Sequence, residues 1–265
     1  MTRLLSALVL LPTVLGLIWW LPPVATLMLC LVVLALSCHE YEGLVGRAGL
    51  APLPWLATAV TVAAYLAFST GRAPLLPLLL APGIVGTAMV MRGRTGRESL
   101  AEAAATLFPV LYLAVPVATI VLIRREFGPG PLIALIGTQV VSDSAQYYTG
   151  RLLGRTPLAP AVSPKKTREG ALGGLVAAAL VLPVFGYYWM PTLPPLVLAA
   201  FGAGLAVVGI MGDLFESLVK RSVDVKDASS LIPGHGGMLD RIDALIFSTP
   251  VYYVVLLWLL HGQAP

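Results

Sequence analysis

The sequence predicts an all-α, polytopic integral membrane protein with about nine transmembrane helices. Three observations predict it. Hydrophobic residues make up 58% of the 265-residue chain and charged residues only 11%, against roughly 25% charged in an ordinary soluble domain. The mean hydropathy is +0.88. Apolar runs long enough, or nearly so, to cross a hydrocarbon core of roughly 30 Å recur along the chain. A soluble globule of this size has no interior large enough for so much apolar surface. Disorder is excluded too, because apolar residues abound and the net charge is only +4.

The first two spans, near 4–20 and 22–38, meet at Pro22-Pro23 and are expected to form a tight hairpin. Arg3 before an apolar run resembles a signal peptide. No small-residue cleavage site is obvious and a second span follows at once, so an uncleaved first span is expected. Cys30 and Cys38 lie in or at the end of the second span. They form neither a CxxC pair nor a zinc pattern and are expected to be small buried residues. Further spans follow near 53–70, 74–91, 104–123, 130–150, 171–190, 194–212 and 243–261. The 22 prolines and 26 glycines are compatible with this, since both are more frequent in membrane helices than in soluble ones.

Basic residues set the orientation. With nine spans, 14 of the 17 Lys and Arg residues fall on the side of the N-terminus, and only Arg72, Arg124 and Arg125 fall on the other. The N-terminus is therefore expected in the cytoplasm. The pI near 9.2 does not point to nucleic acid, because the basic residues sit between apolar runs rather than on one polar face. Of the 13 acidic residues only Glu126 lies on the outer side. Eight fall in or beside two late loops: Asp143, Glu169, Asp213, Glu216, Asp224, Asp227, Asp240 and Asp243. Polar chemistry is thus expected at one membrane face, in the second half of the chain, with the less polar first half as scaffold.

Three segments carry that chemistry. Gly212 to Arg221 ends the eighth span, with Asp213, Glu216, Ser217 and Lys220 at helical spacing. A carboxylate there suits a hard cation, since Mg²⁺ favours one or two carboxylates plus phosphate oxygens; a solvated helix end with a Glu216–Lys220 pair fits the spacing as well. Lys226 to Asp243 holds Pro233, Gly234, Gly236 and Gly237 around His235, a loop able to bring backbone N–H groups near a phosphate. Asp240, Arg241 and Asp243 open the ninth span, where aspartate also suits a helix N-terminus. The third segment runs from Ser142 through Asp143 to Arg155 and on to Ser163-Pro164-Lys165-Lys166-Thr167-Arg168-Glu169-Gly170. Its cations suit phosphates, or simply a positive-inside loop. No GxxxxGK[ST] occurs, so this is not a P-loop enzyme. No pair of interrupted spans in corresponding halves suggests a transporter. The composite points to phosphoryl or nucleotidyl transfer on a lipid.

The run S-L-V-K-R-S-V-D-V-K-D-A-S-S-L-I-P-G-H-G-G-M-L-D-R-I-D, Ser217 to Asp243, resembles the signature of phosphatidate cytidylyltransferases, the CDP-diacylglycerol synthases. The matching positions are Ser217, Lys220, Arg221, Lys226, Asp227, His235, Gly236, Gly237, Asp240, Arg241 and Asp243. Upstream, Ser163, Pro164, Lys166, Thr167, Glu169, Gly170, Gly173 and Gly174 match as well. The resemblance covers about residues 137–250. It departs at Ala145-Gln146, where the family has a small Gly-Ala pair, and at Arg168, where an aromatic is common.

The resemblance implies that CTP and phosphatidic acid react with Mg²⁺ to give CDP-diacylglycerol and pyrophosphate. It implies Asp213 and Asp240 as metal ligands, with a second cation possible beside the first. Lys220, Arg221, Lys226, His235 and Arg241 would meet phosphate or pyrophosphate, with Lys226, His235 and Arg241 counted with the aspartates as catalytic. Ser163, Lys166, Thr167, Glu169, Ser217, Asp227, Gly236, Gly237 and Asp243 would bind substrate, and Asp143 would support the cation site. Residues 1–125 would be a transmembrane scaffold and 126–265 the catalytic region of one membrane domain. A multi-pass cytoplasmic-membrane enzyme with its site facing the cytoplasm follows, and a homodimer is a family-style expectation. The alternatives are a CTP-dependent polyprenol-type kinase and a non-enzymatic transporter.

Overall fold

The computed structural model describes residues 12–229 and 236–261. The chain is an all-α polytopic membrane protein. Among the described residues, six helices are long and apolar enough to cross a membrane: Pro23–Arg47, Leu75–Arg92, Ser99–Glu126, Arg168–Trp189, Pro195–Arg221 and Leu239–Leu260. Each lies over one of the expected spans. Their outer faces leave Leu79, Leu180, Leu196 and Trp258 exposed, a surface suited to acyl chains and not to water.

Residues 12–20 are helical (α1) and break at Leu21-Pro22 before α2, Pro23–Arg47, which starts with proline in its first turn. Helix α2 runs past the expected end at residue 38. Nothing in His39 to Arg47 except Gly43 and Gly46 opposes a helix, and the first left-handed residue is Gly49, at φ 77°. Glu40 and Glu42 therefore sit on a helix rather than in a loop. Helix α3, Pro54–Thr70, stops at left-handed Gly71, and α4, Leu75–Arg92, at left-handed Gly93. Within α4 only Ala81 and Val85 are buried.

The next rod comprises α5 (Ser99–Pro109), a π turn (Val110–Ala114) and α6 (Val115–Glu126). Pro116 lacks an N–H for the preceding turn, and a widened turn before it absorbs the mismatch. The Pro116 carbonyl accepts the Thr249 hydroxyl at 3.0 Å, which ties this rod to the last helix. Helix α7 is Pro129–Leu153. A hairpin of β1, Pro157–Ala159, and β2, Ser163–Thr167, follows, paired antiparallel. The sequence predicted no strand there. Helices α8 (Arg168–Trp189), α9 (Pro195–Arg221) and α10 (Leu239–His261) complete the chain.

Small residues let the later helices approach closely, as they do in membrane bundles. A Cβ on Gly170 would lie 2.8 Å from the Gln146 carbonyl, so α8 packs on the α7 backbone. Gly212 brings α9 against the Asp243 carbonyl of α10 in the same way. Two apolar cores result. One joins α2, α3 and the α5–α6 rod to Ile242 and Ile246 of α10. The other joins Ile18, Ile123, Leu132, Leu182, Leu198 and Tyr252. The polar site lies where α7, α8, α9 and α10 converge.

Candidate active site

A cavity of about 450 Å³ opens among α7, the hairpin, α8, α9 and α10. Helix α7 contributes Asp143, Gln146, Tyr147, Gly150 and Arg151. The hairpin contributes Leu158, Lys165, Lys166 and Thr167. Gly170 and Ala171 come from α8, Asp213 from α9, and Asp240 and Asp243 from α10. Four carboxylates and three cations thus share one wall system, although Asp143 and Asp243 lie 100 positions apart in the sequence.

Each element places its side chains for a local reason. Thr167 ends β2 and caps α8, its hydroxyl accepting the Gly170 N–H at 3.1 Å. Glu169 accepts the Arg155 N–H at 3.1 Å and the Thr156 N–H at 3.2 Å, which clamps the hairpin onto the first turn of α8. That clamp sets β2 over the end of α9, and Lys166 forms an ion pair with Asp213. Gln146 donates to Asp143 at 3.0 Å and to the Ser142 hydroxyl at 3.3 Å. The departure at Gln146 from the family pattern therefore supplies a cavity-lining group that orients an aspartate.

Asp240 lies in the first turn of α10. Its Oδ2 accepts the Gly237 N–H at 2.8 Å and the Ala228 N–H at 3.2 Å. Its Oδ1 takes the ammonium of Lys220, which also pairs with Glu216 one turn back on α9. Lys220 and Glu216 are both buried. The like charges of Asp143, Asp213 and Asp243 act on one another across the cavity. Such a concentration of carboxylate favours a cation. Among the described residues no three His, Cys, Asp or Glu side chains form a ready-made metal cluster. A few carboxylates left to be completed by substrate oxygens are what Mg²⁺ usually receives from a protein, and this all-oxygen donor set fits it.

The structure gathers Asp143, Lys166, Thr167, Asp213, Asp240 and Asp243 on the cavity wall. It places other expected residues elsewhere. Lys220 is held between two carboxylates behind the wall. Arg221 is exposed and donates to the Val225 carbonyl at 2.9 Å, closing the turn after α9. Lys226, Asp227 and Arg241 are exposed and off the lining. Ser163 and Ser217 are half-buried, also off it. Gly236 adopts a left-handed φ of 81°, and Gly237 is buried. His235 lies outside the described residues.

Several lining residues did not stand out in the sequence. Lys165, on β2, belongs to the basic run already expected to meet phosphates; Arg151 and Tyr147 were not singled out, and their i,i+4 spacing on α7 (Arg151 donates to the Tyr147 hydroxyl at 3.2 Å) was the available signal. Glu40 is the more distant case. This α2 carboxylate is buried and accepts from Ser229, Met238 and Leu239. Its signal was an ionisable residue at the end of an apolar run.

The chain matches the cytidylyltransferase family over residues 1–259. It is 38% identical to the phosphatidate cytidylyltransferase of Thermotoga maritima over 138 residues, 50% of this chain and 51% of that protein. It is 38% identical to the one of Helicobacter pylori strain J99 over 175 residues, 65% of this chain and 64% of that protein. It is 42% identical to the one of Pseudomonas aeruginosa over 137 residues, 51% and 50% of the two chains. The chain spans about half the length of most of these curated relatives. Because the family match extends well beyond the Ser217–Asp243 segment to nearly the full length of the sequence, the chain belongs to the cytidylyltransferase family.

Proposed function

We propose that the protein transfers the cytidylyl group of CTP to phosphatidic acid, giving CDP-diacylglycerol and pyrophosphate. The observation that carries this reading is the meeting of Asp143, Asp213, Asp240 and Asp243 with Arg151, Lys165 and Lys166 in one cavity, in a chain whose curated relatives are named phosphatidate cytidylyltransferase. The cavity is set among helices with apolar outer faces, so a lipid phosphate can reach it while its acyl chains stay in the bilayer.

In this reaction a phosphate oxygen of phosphatidic acid attacks the α-phosphorus of CTP. A new P–O–P bond forms, the bond from the α-phosphorus to the bridging oxygen breaks, and pyrophosphate leaves with that electron pair. The lipid phosphate is already an anion, so no side chain has to remove a proton from the nucleophile. The protein's work is to align two anions that repel each other. Lys166, Lys165 and Arg151 supply charge to hold phosphates on the hairpin and α7 walls. Asp213 and Asp240 would hold Mg²⁺, with Asp143 and Asp243 beside them. When bound, Mg²⁺ neutralises phosphate charge and aids in-line alignment. Bound phosphates compete with Asp213 for Lys166, and that exchange frees a carboxylate for the cation.

The same proposal includes nine crossings with the N-terminus and the site on the cytoplasmic side, where CTP is available. The distribution of 14 basic residues against three supports this orientation. The bacterial relatives support the cytoplasmic membrane as the location.

Label placement tests the proposal. Purified protein is given phosphatidic acid, Mg²⁺ and CTP labelled at either the α- or the γ-phosphorus. The α-label is expected in the lipid and the γ-label in pyrophosphate. A γ-label in the lipid identifies a kinase instead, and no label in either product removes the enzymatic reading.

A further inference from the structure

We infer that Glu40, in the N-terminal half of the chain, is a positioning residue for Asp240. Glu40 is 3% exposed. Its Oε1 accepts the Ser229 hydroxyl at 2.6 Å and the Met238 N–H at 2.8 Å, and its Oε2 accepts the Leu239 N–H at 2.8 Å. Among the described residues no Lys, Arg or His forms an ion pair with it. A buried carboxylate without a cation is costly unless its oxygens are satisfied by donors. Here they are satisfied by the positive end of α10 and by the residue that precedes 230–235.

The two carboxylates grip neighbouring atoms of the same segment. Asp240 accepts from Ala228 and Gly237, while Glu40 accepts from Ser229, Met238 and Leu239. Glu40 therefore fixes both strands of chain from which Asp240 takes its own hydrogen bonds. It does so from α2, whereas Asp213 lies on α9. A Cβ at Gly237 would sit 2.6–2.8 Å from the Glu40 carboxylate, so glycine is needed there for close approach. Glu40 does not line the cavity and acts through Asp240 alone.

The inference rests on the proposed role of Asp240 in holding Mg²⁺. Groups that orient a metal ligand commonly set metal affinity by 10–100-fold. Glutamine at position 40 keeps the size of the side chain but turns one acceptor into an N–H₂ donor facing backbone N–H groups. In the purified full chain, Glu40→Gln is expected to raise the Mg²⁺ concentration for half-maximal turnover by about tenfold or more, with a smaller loss at saturating Mg²⁺. Without Mg²⁺ or CTP, the amides of Met238 and Leu239 are expected to exchange hydrogen faster in this variant, while those of α7 and α8 are unchanged.

An Mg²⁺ requirement within about twofold of the unaltered protein overturns the inference. If Glu40→Gln loosens the whole protein, Glu40→Asp decides, because it keeps the charge while drawing the carboxylate back from the Met238 and Leu239 N–H groups. A normal Mg²⁺ requirement in Glu40→Asp then overturns the inference, and a raised one supports it. Asp240→Asn separates the two levels. If it retains full turnover, the reading of Asp240 fails; if it is inactive while Glu40→Gln is normal, only the inference about Glu40 fails.

Discussion

The helices up to Glu126 and those from Pro129 onward use their polar residues differently. In the first region most polar contacts fasten one stretch of backbone to another. Glu102 accepts the Ala51 N–H at 3.2 Å and pairs with Arg92 at 3.5 Å, while the Thr106 hydroxyl takes the Leu53 N–H at 3.2 Å. These hold the α2–α3 connection against α5. Arg124 donates to the Ile18 and Leu21 carbonyls at 2.9 and 3.0 Å, and Arg125 donates to Ser69. In the second region carboxylates and cations turn toward one shared cavity. A charged residue in a membrane protein is therefore informative through what it faces. Glu40 breaks the division: it belongs to the first region by sequence and serves the second.

The largest expected effect sharpens the contrast from the second region. Asp213→Asn and Asp240→Asn should each lower turnover by at least about 100-fold, because each removes a charge-stabilising group from the reacting centre. Steady-state assays on folded, purified protein check this. Lys166→Ala should follow, with a loss of about 10–100-fold in kcat/KM, since it removes both a phosphate-binding charge and the partner of Asp213. Glu40→Gln comes next, read as the raised Mg²⁺ requirement described above, and it would break the division by region. The smallest catalytic effect is expected for Glu102→Ala. It should cost about 1–3 kcal/mol of stability through the unpaired Ala51 N–H and the lost Arg92 ion pair, seen as a lower melting midpoint, with turnover per folded molecule unchanged. Loss of catalysis there would show that the first region is more than scaffold.

Much of this architecture is legible in the sequence because membrane spans are long, apolar and local. The six strongest helices coincide with expected spans for that reason. Asp143, Asp213 and Asp240 are legible because an ionisable group at a span end is expensive to keep without a purpose, and Lys166 is legible only through the basic run Ser163 to Gly170 that resembles the family's. The hairpin is not. Pro157-Leu158-Ala159 and Ser163 to Thr167 are too short to read as strands, and the Glu169 clamp at Arg155 and Thr156 links residues 13 and 14 positions apart. The fate of Lys220 was half visible. Its i,i+4 partner Glu216 follows from helix geometry, whereas Asp240, 20 residues on, requires the turn that follows α9. Glu40 was least visible, since its partner Leu239 lies 199 residues away and only the packing of α2 against the start of α10 brings them together.

The central claim is that the cavity walled by α7, α9 and α10 is where cytidylyl transfer takes place. The most direct measurement is the joint yield of lipid-attached cytidylyl group and pyrophosphate from the unaltered protein and from Asp213→Asn, in vesicles containing phosphatidic acid with CTP and Mg²⁺. The account predicts equal amounts of the two products from the unaltered protein and about 1% of that rate or less from the variant. Equal turnover by the two proteins would contradict it.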